Sequence, residues 1–141
     1  MKYKNLNIGW NAEPNAPLPE LSVDGSQISI KFFLNSFLYD HIEDDDMGEL
    51  IFVNCHKYSF NNSNDEEYYR GKYRYNNSQL PWGEFYELQT EWRNDFPQDG
   101  IVLNELVDES ILKHFIFFFR DNTFECVAQD YEFSYLKNRT T

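Results

Sequence analysis

Apolar and polar positions alternate most regularly between residues 27 and 34. Ile28, Ile30, Phe32 and Leu34 fall on one side of an extended chain, and Gln27, Ser29, Lys31 and Phe33 on the other. A period of two marks a strand with one face in a core. Asp24-Gly25, just before it, reads as a turn. Glu49 to Cys55 predicts a second strand, after a loop opened by Asp44-Asp45-Asp46 and closed by Gly48. Beyond the turn-rich run Asn61-Asn62-Ser63-Asn64-Asp65, Tyr69, Tyr73 and Tyr75 take one side around Gly71, while Arg70, Lys72 and Arg74 take the other. Trp82 to Gln89 predicts a further strand after Pro81.

The C-terminal third carries the plainest hairpin. His114 to Phe119 runs out, Arg120-Asp121-Asn122-Thr123 turns, and Phe124 to Cys126 returns. Tyr131, Phe133 and Tyr135 continue as a last alternating strand. Phe115-Ile116-Phe117-Phe118-Phe119 is apolar at both parities, so this strand is central and covered on both faces, by its own chain or by a partner. Two segments show helical spacing. In Ser36 to Ile42, Phe37, Leu38, His41 and Ile42 share a side. In Asn104 to His114, Asn104 or Asp108 caps an apolar set of Leu106, Val107, Ile111 and Leu112. Pro14, Pro17 and Pro19 keep the stretch Asn11 to Pro19 extended over the surface, pinned by Trp10.

These elements predict a mainly β domain. The expected form is an antiparallel sandwich or open barrel of about six to eight strands with one or two short helices. An α+β arrangement is the alternative. The 141 residues hold no internal repeat, low-complexity tract or dividing linker, so 1–141 reads as a single domain. Aromatic residues make up 18% of the chain, with 13 Phe, 10 Tyr and 3 Trp, which favours half-buried pleated surfaces.

Charge narrows the range of partners. Asp and Glu number 24 against 12 Lys and Arg, a formal net charge of −12. Such a surface repels nucleic acid and anionic membrane and draws a cationic protein. The alternation of Arg70, Lys72 and Arg74 with tyrosines therefore reads as sheet neutralisation rather than nucleic-acid binding. Met1-Lys2-Tyr3-Lys4 leads into polar residues, and Phe115–Phe119 is too short to span a bilayer. A cytoplasmic location with reduced thiols is the expectation. The sequence leaves open whether Cys55 and Cys126 are bridged.

Chemistry-bearing patterns are sparse. His41, His56 and His114 lack the spacing of a metal site, and Cys55-His56 would point to opposite faces of a strand. His114 and Cys126 could meet across the hairpin, but two ligands do not make a site. No nucleophile elbow, phosphate loop or dinucleotide fingerprint occurs. Glu84 and Glu87 differ in parity and would not face one cleft. No catalytic residue, metal or cofactor is expected. The acidic run Glu43-Asp44-Asp45-Asp46 with Asp40 lacks the spaced pattern of a calcium loop. It reads either as a solvated loop or as a contact patch for a cationic partner. Asp65, Glu66 and Glu67, with Tyr68 beside them, would extend that patch.

Three segments carry a resemblance: Gly9-Trp10-Asn11-Ala12-Glu13-Pro14-Asn15-Ala16-Pro17, Trp82-Gly83-Glu84-Phe85-Tyr86-Glu87, and His114 to Cys126. Together they look like a family of small bacterial proteins. The chain as a whole resembles immunity proteins of bacterial toxin systems in being short, acidic and without catalytic residues. The resemblance implies a protein that blocks a toxin by stoichiometric binding, with no activity of its own. A small-ligand-binding β domain lined by aromatics is the alternative expectation.

Overall fold

The computed structural model describes residues 2–61, 80–81, 83–89, 92–97, 100–105 and 108–136. The expected alternation at residues 27–34 is met: Ile28, Ile30 and Phe32 are wholly buried, while Gln27 and Lys31 are exposed. They belong to β3 (Gln27–Phe33), which pairs with β2 (Glu20–Asp24) across the Asp24-Gly25 turn and with β4 (Met47–Val53). On the far side of β4 lies β10 (Asp130–Leu136), completing a four-stranded sheet in the order β10-β4-β3-β2.

A six-stranded sheet faces it. Its strands are β1 (Lys2–Asn5), β5 (Lys57–Asn61), β6 (Phe85–Gln89), β7 (Ile101–Val102), β8 (Lys113–Phe118) and β9 (Thr123–Ala128), in the order β1-β6-β8-β9-β5-β7. All pairings are antiparallel. The main core brings β3 and β4 side chains together with Phe85, Phe115, Phe117, Phe124 and Cys126 of the other sheet. This is the β-sandwich that the patterning predicts. Its ten described strands exceed the expected six to eight, since β1, β2, β5 and β7 were not among those expected, β1 and β7 being too short to show a period.

Trp10 is the hub of the core. Its ring stacks on Phe133 at 4.1 Å and lies 5.6 Å from Phe32 and 5.9 Å from Phe117. Burying a ring of this kind stabilises by about 1.5–3 kcal/mol, so Trp10 pins the proline-rich segment firmly.

The two-faced apolar strand is resolved as covered. Phe115, Phe117 and Phe119 enter the core between the sheets, while Ile116 and Phe118 pack with Leu80, Tyr86 and Leu88 on the outer side. Further along that outer side, Val127 packs with Trp92 and Phe96, at α1 (Trp92–Asp95) and its end. His114 and Glu125 lie on the same side, each with its side chain 1% exposed, with His114 Nε2 2.7 Å from Glu125 Oε2.

Both expected helices are replaced. Residues 36–42 form turns, because the buried Asn35 side chain accepts from Phe37 N at 3.0 Å and Leu38 N at 3.3 Å. Asx turns of this kind compete with helix hydrogen bonds. Among the described residues of Asn104 to His114 the helical part is a 3₁₀ turn, Glu109–Ile111, capped by Asp108, one of the two caps expected. The end of that stretch, Lys113 and His114, already belongs to β8. The expected strand around Tyr69 to Tyr75, together with Leu106 and Val107, lies outside the described residues.

Candidate functional site

Between β3 and β4 the chain builds a loop with a buried frame and an exposed crown. Asn35, Ile42 and Asp46 form the frame, at 6%, 3% and 1% exposure. The Asp46 carboxylate accepts from Glu43 N at 2.9 Å, and its carbonyl accepts from Leu34 N at 2.9 Å. Asp45 sits at φ 67°, a left-handed conformation that Asp tolerates. Ser36 Oγ donates to Asp44 Oδ1 at 2.9 Å. Held this way, Phe37 is 84% and Leu38 66% exposed. Large apolar side chains so far into solvent, side by side on a braced loop, have the form of binding anchors.

The acids expected to make a contact patch divide here. Asp40, Glu43, Asp44 and Asp45 are exposed, and Asp44 and Asp45 line one groove with Phe37. Asp46 is not available, since its side chain is turned inward to close the loop. Asp65, Glu66, Glu67 and Tyr68 lie outside the described residues. Nothing in the periodicity marked Phe37 and Leu38 as exposed, because helical spacing assigned them to an apolar face.

Two grooves flank this crown. The first, of about 490 Å³, runs between Leu18, Phe33, Phe37, Asp44, Asp45 and Glu13. The second, of about 280 Å³, lies on the other side of Glu13 and reaches Leu38, Glu84 and Arg120. All of its lining residues except Asn35 and Leu38 come from the three segments that carry the resemblance. Segments far apart in sequence thus converge on one rim of the sandwich.

Glu84 is the centre of that convergence. Its carboxylate accepts from the side-chain amides of Asn7 and of Asn11, the latter at 2.9 Å. Asn7 also accepts from Phe85 N at 3.0 Å and donates to the Trp10 carbonyl at 2.9 Å, tying the start of β6 to the core hub. Tyr39 Oη donates to Asn11 Oδ1 at 2.8 Å. Burial pushes the Tyr39 phenol above its ordinary range, and the nearby charges of Glu84 and Tyr135 push the same way. The Glu13 carboxylate accepts from the backbone amides of Asn15 and Ala16, and Arg120 donates to the Asn15 carbonyl. The rim is therefore a preorganised, acid-rich polar surface.

The other candidate chemistry separates in space. His114 and Cys126 occupy opposite faces of their hairpin, since His114 pairs with Val127 and Cys126 with Phe115. Cys55 and Cys126 are both free and buried in the same core cluster, where the Cys55 thiol donates to the Lys57 carbonyl at 3.3 Å. Burial pushes the Cys126 thiol well above its ordinary value, and the neighbouring Cys55 side chain adds to the shift. His56 Nδ1 lies 2.7 Å from the Asn104 carbonyl. Among the described residues no group of three His, Cys, Asp or Glu side chains could hold a metal ion. Among them, too, no helix is long and apolar enough to cross a membrane. No family model matches the chain, and no curated protein or solved structure matches it either.

Proposed function

We propose that the chain is an acidic protein-binding module that neutralises a bacterial toxin by stoichiometric binding, in the manner of an immunity protein. The observation that carries this reading is the crown of the β3–β4 loop: exposed Phe37 and Leu38, with the exposed acids Asp40, Glu43, Asp44 and Asp45 on the same loop. The braced frame below them limits the ordering cost of binding. A toxin that acts on nucleic acid needs a basic surface to hold phosphates. An acidic partner carrying a net charge of −12 is steered to that surface and can occupy it. The reading goes with a cytoplasmic location.

Co-expression with candidate bacterial toxins tests it. The native chain should restore growth against one of them, and the exposed-residue variant Phe37→Ser/Leu38→Ser should not. Protection against none, together with no salt-sensitive basic partner in pull-downs, would remove the reading. The 280 Å³ groove at Glu84 supports a second reading, a small-ligand-binding β domain. In that case a small molecule should raise Tm in the native chain and not in Glu84→Gln.

A further inference from the structure

The two sheets differ in how their outer faces are treated. The outer side of the six-stranded sheet is buried over β8 and β9, down to polar residues such as Thr123 and Glu125, each 1% exposed, and Ser59 of β5 at 2%, while the edge strands β1 and β7 are exposed. The outer side of the four-stranded sheet is open. Its register places Ser134, Glu49, Lys31 and Glu20 in one row, and Glu132, Ile51, Ser29 and Ser22 in the next. Every one of these side chains is exposed or half-exposed.

Charge and polarity are sorted across this face. The edge strands bring acids: Glu20 and Asp24 from β2, Asp130 and Glu132 from β10. The central strands bring half-exposed Phe33, Met47 and Ile51, with Val53 at 36% exposure. Lys31 is the one base on the four strands' outer side, opposite Glu49 and Glu20. Apolar side chains interspersed with Ser29, Lys31 and Glu49 at the centre, and acids along both edges, give this face the mixed character of a protein interface.

We infer that this open face docks a basic protein surface and forms one interface with the β3–β4 loop, an inference that rests on the proposed binding role. Charge decides the occupant. A second copy would bring the same acids against these acids, and nucleic acid or an anionic membrane would be repelled. Continuity supports the joint surface, because Phe33 on the sheet also lines the groove beside Phe37, Asp44 and Asp45. Area supports it as well. Four strands about 4.8 Å apart, with rows spanning roughly 20 Å along them, offer about 400 Å². A stable interface takes about 800 Å² from each partner, so the sheet supplies about half of that and needs the adjoining loop.

The test uses the full ¹⁵N-labelled chain and an amphipathic peptide of alternating Lys and Val, with a Glu and Val peptide as control. The expected result is saturable shifts of the Ser22, Ser29, Lys31, Ile51 and Ser134 amides with the Lys peptide and none with the Glu peptide. Neutralising the exposed rim in Glu20→Gln/Glu132→Gln should weaken that binding about fivefold or more. Asp44→Asn/Asp45→Asn should weaken it as well, since loop and sheet form one interface, with the same sheet amides shifting at saturation. Shifts confined to residues 36–46, or binding that Glu20→Gln/Glu132→Gln leaves unweakened, would overturn the assignment. So would concentration-dependent shifts of the sheet amides without peptide, which would give the face to a second copy. The toxin reading fails separately: sheet binding without protection in co-expression removes that reading and leaves this face standing.

Discussion

The side chains of His114 and Glu125 are each 1% exposed and meet at 2.7 Å on the covered side of the large sheet. Replacing His114 with Ala leaves a carboxylate without this partner in a place that water does not reach. Breaking a buried pair in this way costs about 3–5 kcal/mol, a large share of the roughly 5–15 kcal/mol that holds a domain together. For a chain of this length each kcal/mol moves Tm by about 3–4 °C, so a fall of about 10–20 °C is expected. Urea titration with an unchanged m-value and calorimetry give the two readings. A double-mutant cycle separates the pairing of the two side chains from the packing of the ring. In a Glu125→Gln background the same His114→Ala change should cost only about 1–2 kcal/mol, the scale of an ordinary hydrogen bond with some lost packing. Sodium chloride at molar concentration should leave the cycle unchanged, since a buried pair is poorly screened. A His114→Ala loss under about 1.5 kcal/mol, or one of equal size in both backgrounds, would refute the reasoning. The second result would mean that the ring acts only by packing, as it does 5.7 Å from Phe96.

Three further outcomes are expected. Gly48→Ala should destabilise by about 1–3 kcal/mol in urea titration, because the new methyl would come within 2.7 Å of the Phe133 ring, itself stacked on Trp10. The raised Cys126 pKa predicts native-state stabilisation that is fully present below the unfolded thiol value of about 8.5 and is lost as pH rises toward the folded value. Tm of the native chain should therefore fall more steeply than that of Cys126→Ala above pH ~8.5, and Ellman's reagent should label the thiols only on unfolding. Asp46→Ala should cost about 1–3 kcal/mol by removing a buried acceptor, whereas exposed Asp44→Ala should stay within about 0.5 kcal/mol by the same titration.

The parity of side chains carried much of the fold. Ile28, Ile30 and Phe32 announced their strand and its inward face, and Phe115 to Phe119 announced a strand buried on both sides. The hairpin through Arg120 to Thr123 was legible from turn chemistry. Short edge strands such as β1 and β7 were not, since four or two exposed residues carry no period. The turns at 36–42 escaped because a single buried Asn35 side chain outweighed helical spacing.

The candidate site was legible only in its charge. Sequence alone determined that the chain is acidic, aromatic-rich and strand-forming, because composition and period are local properties. Tertiary structure decided which acids are available: Asp44 stays in solvent while Asp46, two residues on, turns inward as a loop brace. It also brought Asn7, Asn11, Glu84 and Arg120 to one rim, and it covered the outer side of β8 and β9 while leaving that of the four-stranded sheet open. Strand order and loop packing set these facts. Both depend on contacts between residues distant in sequence, which no local pattern encodes.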